Sequence, residues 1–211
     1  MRGRMTVAQA IQTIGRPVFT TREIAGIRSA SLSSTSRTLT RMEELGLVMS
    51  PSRGLWCVPT DPRFTPFALV SFLSGRHRAY VSFFSALHLL GLTGQIPQVI
   101  YAATTAHTRV AKTRLATYSF HRIHPAFFTG FAWHSSNQFL IATPEKAVVD
   151  CLYLSGRKGR RFGHLPELEL PRSFSFRRAR SWTGRIAEPR LRAHVLEKLK
   201  NVESSYRAKV K

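Results

Sequence analysis

Residues 18–58 constrain the fold more than any other stretch, because helix signals, turn signals and short apolar runs follow one another there in a definite order. Thr20 or Thr21 provides an oxygen cap for a short helix that carries Glu23 in its first turn and ends near Gly26. A hydroxyl cap and an early carboxylate both stabilise the positive end of a helix dipole. A short helix is therefore predicted at the start of this stretch.

A second, longer helix is predicted to follow the turn at residues 28–30. Its apolar residues recur at the spacing of an amphipathic helix, and Gly46 provides a signal for its end. The residues predicted to face the protein interior are Leu32, Ser36, Leu39, Met42 and Leu45.

Two short apolar runs, residues 47–49 and 55–58, come after this helix. The segment that joins them, residues 50–54, is rich in turn-forming residues and presents Arg53. Such a pair of runs predicts a β-hairpin. Helix, turn, longer helix and hairpin is the order of a winged helix-turn-helix, so we predict that fold for the N-terminal part of the chain.

The polar face of the longer helix has the chemistry of a DNA-binding surface. Small hydroxyls and arginines can donate to phosphates and base edges, while a basic wing can contact the flanking DNA. Glu43 and Glu44 oppose this, but they lie at the far end of the helix, where it would leave the groove. A role in protein contacts is the alternative interpretation. The predicted DNA-binding residues are Ser31, Ser33, Ser34, Thr35, Arg37, Thr38, Arg41 and Arg53.

The charge balance narrows the class of partner. The 211 residues include 32 Lys and Arg against 11 Asp and Glu, a formal net charge of +21. An excess of this size favours a polyanion, with double-stranded DNA as the leading candidate and RNA as another. A membrane surface competes with them, but no run approaches the roughly 18 apolar residues of a spanning helix. We therefore predict a nucleic-acid partner and no membrane contact.

The N-terminus and the cysteines bear on the compartment. Residues 1–5 are basic, but neither an apolar run nor a small-residue cleavage site follows, so no signal peptide is expected. Cys57 and Cys151 lie in apolar segments far apart in sequence, which favours two buried thiols over a disulfide. A cytoplasmic location is predicted.

Prolines indicate a domain boundary. Residues 61–66 follow Pro59 and contain two further prolines, which interrupt both helices and strands. The predicted organisation is a winged helix-turn-helix domain at 1–60 with its first helix at 6–14, a linker at 61–66, and a second domain at 67–211.

The second domain is predicted to mix helices with a small sheet, which makes the fold class α+β. Residues 143–154 combine a threonine cap, a proline at the first helical position and a glutamate in the first turn, a pattern typical of a helix start. Strands are predicted at 99–103, 115–120 and 139–142. Further helices are predicted at 80–92, 171–182 and 188–201, the last with Leu191, Val195, Leu196 and Leu199 as its buried stripe.

Two segments of the second domain carry a resemblance to a known family. They are YVSFFSALHLLGLTGQIPQVIYAAT at 80–104 and TPEKAVVDCLYLSG at 143–156. Together with the predicted winged helix they make most of residues 5–200 resemble the AbiEi family, the antitoxins and transcriptional regulators of bacterial abortive-infection (type IV toxin–antitoxin) systems.

This resemblance implies a function for each part of the chain. It implies that the winged helix binds inverted repeats in the promoter of its own operon and represses it. It also implies that the C-terminal domain counteracts a nucleotidyltransferase-like toxin, either directly or through a shared RNA or DNA target. A solitary DNA-binding regulator without a toxin is an alternative that the sequence leaves open.

Catalysis is not expected, and the chain is predicted not to be an enzyme. Glu145, Lys146 and Asp150 suggest a nuclease cluster, but the two carboxylates are about 140° apart around a helix at 100° per residue. A helix-capping role explains Glu145 better. The alternative, a nucleic-acid-processing enzyme or its accessory subunit, requires a winged helix that only delivers substrate.

Metal binding is not expected either. His121, His124 and His134 invite a zinc interpretation, but the cysteines do not stand at ligand spacing from them. The sequence also has no Gly-rich phosphate loop and no G-x-S-x-G motif. No metal or other cofactor is therefore predicted.

The last third of the chain carries much of the positive charge. Residues 151–211 contain sixteen Lys and Arg against five Glu. A solvated face is one interpretation of such a bias, and a second nucleic-acid contact is the other. The candidate residues for that contact are Arg157, Lys158, Arg160 and Arg161.

Overall fold

The computed structural model describes residues 5–157 and 162–210, and within them it has eight α-helices and two β-sheets. The predicted α+β class is confirmed. The helices are α1 Val7–Ile14, α2 Thr21–Ile27, α3 Leu32–Glu44, α4 Leu69–Leu73, α5 Phe83–Leu89, α6 Pro144–Ser155, α7 Phe176–Thr183 and α8 Pro189–Val210. The strands are β1 Val18–Thr20, β2 Met49–Ser52, β3 Leu55–Cys57, β4 Ala79–Val81, β5 Ile100–Thr104, β6 Arg109–Lys112, β7 Thr117–Arg122, β8 Phe131–Trp133 and β9 Leu140–Ala142.

The first sheet is antiparallel with strand order β1-β3-β2, and α1 to α3 pack with it. The predicted helices at 6–14 and after Thr20 are both present. Thr20 and Glu23 form a reciprocal capping box, and Thr6 forms another with Gln9. Each box satisfies backbone N–H groups that the first helical turn leaves without partners. The core between these elements consists of Val7, Ala10, Phe19, Ile24, Leu39, Val48 and Trp56.

The second sheet has six strands in the order β6-β7-β5-β4-β9-β8. The three predicted strands correspond to β5, β7 and β9, with β5 parallel to β7. The helix predicted at 80–92 was wrong at its start, because residues 79–81 form β4 and the helix covers only Phe83–Leu89. β4 lies between β5 and β9 and is fully buried, and a short apolar run buried on both faces has no periodicity that separates strand from helix.

Helix α6, which was predicted from its start signals, is the most buried helix of the second part. It contacts α5, α7 and α8, and the residues from Glu145 to Ser155 are all buried. The predicted helix at 171–182 begins later, at Phe176, and the predicted helix at 188–201 extends to Val210. Of its predicted stripe, Leu191, Val195 and Leu199 are buried. The predicted stripe thus identifies the side of α8 that faces the core.

The two sheets are joined by shared packing. Val18, Leu55 and Cys57 of the first sheet belong to the same buried apolar cluster as the second sheet. The Tyr118 hydroxyl donates to the Pro66 carbonyl at 2.9 Å, and the Arg114 guanidinium pairs with Glu43 at 2.6 Å. The predicted division at residues 61–66 therefore separates two parts that are packed together.

Cys57 gives this shared core a pH dependence. Both cysteines are buried thiols, as predicted. Burial, with a smaller effect from Glu43, raises the pKa of the Cys57 thiol from its ordinary value of 9.0 to about 11. The folded state thus binds the thiol proton more tightly than the unfolded state, so this stabilisation is complete below pH 9 and is lost as the pH rises toward 11.

We expect the free energy of unfolding to fall between pH 9 and 11, with a Cys57 contribution of at most about 3 kcal/mol, since one pKa unit corresponds to about 1.4 kcal/mol. Urea titrations of the wild type and of Cys57→Ala across this range measure it. Below pH 9 the variant is expected to have a lower free energy of unfolding than the wild type, but this free energy should fall less steeply as the pH rises to 11. An identical decline in the two proteins would contradict the assignment.

Candidate nucleic-acid interface

Helix α3 begins where its N-cap residue provides a local acceptor. The Ser31 hydroxyl accepts from the Ser34 backbone N–H at 3.1 Å and donates to the Ser34 hydroxyl at 3.0 Å. At about 100° per residue, Ser33, Arg37 and Arg41 then fall on one side of the helix. All three are exposed. The structure therefore brings together three of the predicted DNA-binding residues on one open face.

Thr35 does not belong to this face, and its prediction as a DNA-binding residue was wrong. It is 0% exposed, and its hydroxyl accepts from the Arg28 guanidinium at 3.4 Å. The two other hydroxyl residues lie at the flank: Ser34 and Thr38 are half-buried, and the Thr38 hydroxyl donates to the Ser34 carbonyl at 3.1 Å. The Thr38 hydroxyl is thus engaged by the helix backbone, and so is the Ser34 hydroxyl, which donates to the Ser31 carbonyl.

The predicted inner stripe of α3 was also wrong at both of its ends. Leu32 is 50% exposed and Leu45 is 74% exposed. The side that faces the core is instead centred on Thr35, Leu39 and Met42. A threonine can take an inner position here because its hydroxyl has a hydrogen-bond partner, which lowers the cost of burying it.

Arg53 lies beside the exposed face of α3, across an open groove that we call the basic groove. Arg53 is exposed at the turn between β2 and β3, and Arg22 is exposed in the first turn of α2. Arg22 was not among the predicted DNA-binding residues, although its place just after the Thr20 cap puts it at a helix N-terminus. The groove is lined by Thr20, Thr21, Arg22, Leu32, Ser33, Ser36, Arg53 and Gly54.

The acidic residues of α3 are arranged so that they disturb this surface little. The Glu43 carboxylate accepts from the Ser50 backbone N–H at 2.8 Å and pairs with Arg114. Its charge is therefore balanced on the side of the second sheet. Glu44 is exposed at the last turn of the helix, the end farthest from the basic groove.

The candidate contact in the last third is described only in part. Arg157 is half-buried, and its guanidinium lies over the Tyr153 ring at 4.8 Å from the ring centre. A cation held over an aromatic face in this way is engaged within the protein. Lys158, Arg160 and Arg161 lie outside the described residues.

The acidic and lysine residues of α6 form a buried cluster rather than an open site. Lys146 and Asp150 are both 0% exposed and form an ion pair. The hydroxyls of Tyr80 and Ser82 donate to Asp150 at 3.0 and 2.6 Å. Burial raises the pKa of Asp150 and lowers the pKa of Lys146, while their mutual attraction opposes both effects. With no solvent access, these groups belong to the core and do not form an open catalytic site.

Glu145 lies in the first turn of α6, as predicted, and also links α6 to α7. Its carboxylate accepts from the Ser175 backbone N–H at 3.1 Å and lies 3.5 Å from the Arg178 guanidinium. Ser175 is the N-cap residue of α7. Glu145 therefore acts at the start of α7 as well as in the first turn of α6, and connects the two.

The histidines singled out for zinc make separate local contacts. His121 bonds Ser119, His124 accepts from the Ala126 backbone N–H, and His134 bonds Ser136. Among the residues that the structure describes, no group of three or more His, Cys, Asp or Glu side chains could hold a metal ion. None of the described helices combines the length and the apolar character needed to cross a membrane.

The exposed face of α3 and the basic groove are thus the best-defined concentration of DNA-binding chemistry among the described residues. No protein-family model and no curated protein matches the chain.

Proposed function

We propose that the N-terminal part, from α1 to β3, is a winged helix-turn-helix that binds double-stranded DNA with α3 in the major groove. The order α1-β1-α2-α3-β2-β3 with a three-stranded antiparallel sheet supports this. In that arrangement α3 is the recognition helix and the β2–β3 turn is the wing.

The observation that carries the proposal is the placement of four arginines. Arg37 and Arg41 project from the exposed face of α3, while Arg22 and Arg53 border the basic groove beside it. An arginine can donate two hydrogen bonds to a guanine edge, and it can also neutralise a phosphate. In the proposed complex, the two arginines on α3 contact bases in the major groove. The two arginines beside α3 contact the phosphate backbone at the flank.

We further propose that the protein is an autorepressing antitoxin of a type IV toxin–antitoxin system, as the resemblance to the AbiEi family implies. The two segments that carry the resemblance form β4-α5-β5 and α6, and α5 packs against α6. Because the two segments pack against each other, we infer that they belong to one C-terminal unit. In this proposal that unit counteracts a nucleotidyltransferase-like toxin.

The test of DNA binding is a fluorescence titration with two duplexes of equal length. One is the region upstream of the protein's own gene and the other is a scrambled sequence. At a net charge of +21 both bind at low salt, so the comparison is made near physiological salt, where we expect the upstream duplex to bind about 10³-fold more tightly or better. A ratio near one would overturn the proposal of a sequence-specific repressor.

The antitoxin role has a separate test. Expression of the neighbouring nucleotidyltransferase-like gene is expected to arrest growth, and co-expression of this chain to restore it. The second domain alone, residues 67–211, is unsuitable for this test, because the two sheets share a core. Instead, the full chain with Arg37→Ala and Arg41→Ala is expected to restore growth while it no longer represses. Arrest that persists with the intact chain would contradict the antitoxin role but not DNA binding.

A further inference from the structure

A pocket on the six-stranded sheet is unexplained by either proposed role. Several of its walls are aromatic rings, and its lining includes residues of β5, β6 and β7. We call it the aromatic pocket, lined by Phe84, Tyr101, Val110, Ser119, His121 and Phe162. Its volume of about 360 Å³ lies within the range of small-molecule sites.

The rings of the pocket are arranged as a cage around Phe162. Its ring centre lies 4.8 Å from Phe84, 5.2 Å from Tyr101 and 5.3 Å from His121. Tyr101 and His121 are themselves stacked, with ring centres 5.9 Å apart. Phe84, Tyr101 and Phe162 are only half-buried, so the cage presents ring surface to an incoming group.

The backbone at this pocket is strained. Phe83 and Phe162 have φ values of 55° and 61°, in the left-handed region that bulky residues rarely adopt, and their rings stack at 4.9 Å. Such a conformation costs about 1–3 kcal/mol and persists where the surroundings enforce it, which happens often at ligand sites. Phe162 lines the pocket and is held there in part by stacking on Phe83, which is itself fully buried.

Polar groups provide a floor and a rim. The Ser119 hydroxyl and His121 Nε2 are 3.0 Å apart and nearly fully buried, with exposed fractions of 6% and 2%. Val110 at the mouth is 55% exposed. Lys112 is exposed on the neighbouring strand and pairs in register with Thr117, which also lines the pocket. The occupant should therefore have an apolar planar face, a polar edge and a nearby negative charge.

We propose that the aromatic pocket holds an unpaired nucleobase of a single-stranded nucleic acid. Base stacking on protein rings, base-edge hydrogen bonds and a lysine for the phosphate are the recurring elements of such recognition. The overall charge of +21 attracts the strand. Bases within a duplex are stacked and paired and do not enter, so this site is independent of the proposed contact between α3 and DNA.

The experiment uses a short single-stranded RNA that carries the fluorescent base 2-aminopurine, titrated with the full chain near physiological salt. Stacking on the rings is expected to quench the fluorescence. Tyr101→Leu is expected to bind about 5- to 150-fold more weakly, the range measured when a stacking ring is removed. Tyr101→Phe retains the ring and is expected to match the wild type. Trp133→Leu, which alters an exposed aromatic residue on the edge strand β8, is the control and should change nothing.

The arms of the experiment separate the source of the base. The same sequence as single-stranded DNA shows whether the ribose is required, and free adenosine monophosphate as competitor shows whether the strand is required. Binding of any of these three molecules supports the pocket, provided that Tyr101→Leu weakens that binding. Binding without quenching, equal quenching of a duplex probe, or wild-type affinity in a folded Tyr101→Leu would overturn it. Arg37→Ala/Arg41→Ala should leave quenching unchanged, so failure of the DNA proposal does not affect this test.

Discussion

Replacement of Asp150 by alanine is expected to lower the free energy of unfolding by about 3–5 kcal/mol, because it leaves the Lys146 ammonium buried without its counter-ion. Both side chains are 0% exposed, so water cannot take over the lost interaction. The Tyr80 hydroxyl would also lose its acceptor, while Lys146 would keep uncharged partners, the Tyr80 hydroxyl at 3.0 Å and the face of the Phe127 ring at 3.7 Å among them. Urea or thermal unfolding of the purified variant measures the loss.

The double variant Lys146→Met/Asp150→Asn separates the ion pair from the rest of the cluster. Methionine fills the space of the lysine stem, and the asparagine carbonyl still accepts from the hydroxyls of Tyr80 and Ser82. Removal of both charges is often close to neutral in buried pairs, so the double variant should be more stable than Asp150→Ala. If Lys146→Met and Asp150→Asn were strictly additive, the two charges would not be coupled and this explanation would fail.

The Lys146–Asp150 pair also shows where prediction from sequence stops. The spacing of four residues on a helix is visible in the sequence, and so is the helix itself. Burial of the pair depends on Tyr80 and Ser82, which reach Asp150 from 70 and 68 residues away along the chain. Because no local pattern specifies that contact, these four residues could not be grouped from the sequence alone.

Four short strands were not predicted from the sequence. β3 and β9 are equally short and were predicted as apolar runs, so shortness alone does not explain the omission of β1, β4, β6 and β8, which are three or four residues long. Their extended form comes from pairing: Val18 opposite Cys57 and Val81 opposite Ile141 are examples. By contrast, the helices after Thr6 and Thr20 were correctly predicted, because their caps act within a few residues of each other. The helix after Thr143 is also present, but its predicted threonine cap was wrong, because the Thr143 side chain makes no capping hydrogen bond.

For the candidate interface, the exposed arginines of α3 could be predicted from the sequence, but the side of α3 that faces the core was predicted incorrectly. Ser33, Arg37 and Arg41 are exposed as predicted, whereas Thr35 is buried and Leu32 is exposed. Apolar residues were assumed to define the inner side of α3. The Arg28–Thr35 hydrogen bond offsets the cost of burying the Thr35 hydroxyl. The side of α3 that faces the core is therefore rotated around the helix axis from the side that was predicted.

The largest effect on DNA binding is expected from Arg37→Ala/Arg41→Ala. Each arginine that donates two hydrogen bonds to a base contributes about 1–3 kcal/mol, so the double variant should lose roughly 30- to 10⁴-fold in affinity for the upstream duplex. The two residues are one helical turn apart, and their effects need not add. Alanine is a strong helix former, so α3 itself should remain folded.

The scrambled duplex and a matched control show what kind of contact is lost. Base reading predicts that affinity for the upstream duplex falls far more than affinity for the scrambled one, so the ratio between them collapses. Arg172→Ala/Arg190→Ala removes the same charge from exposed positions of the last third and should leave that ratio unchanged.

Salt dependence and a conservative variant complete the assignment. If Arg37 and Arg41 contact only phosphates, both duplexes lose affinity equally and the slope of log K against log salt becomes shallower by about 0.9 for each contact. Arg37→Lys/Arg41→Lys keeps the charge but not the two-pronged geometry. Base reading therefore predicts that the lysine variant keeps the salt slope yet loses the preference for the upstream duplex, whereas full recovery of that preference by lysine would assign both arginines to the backbone.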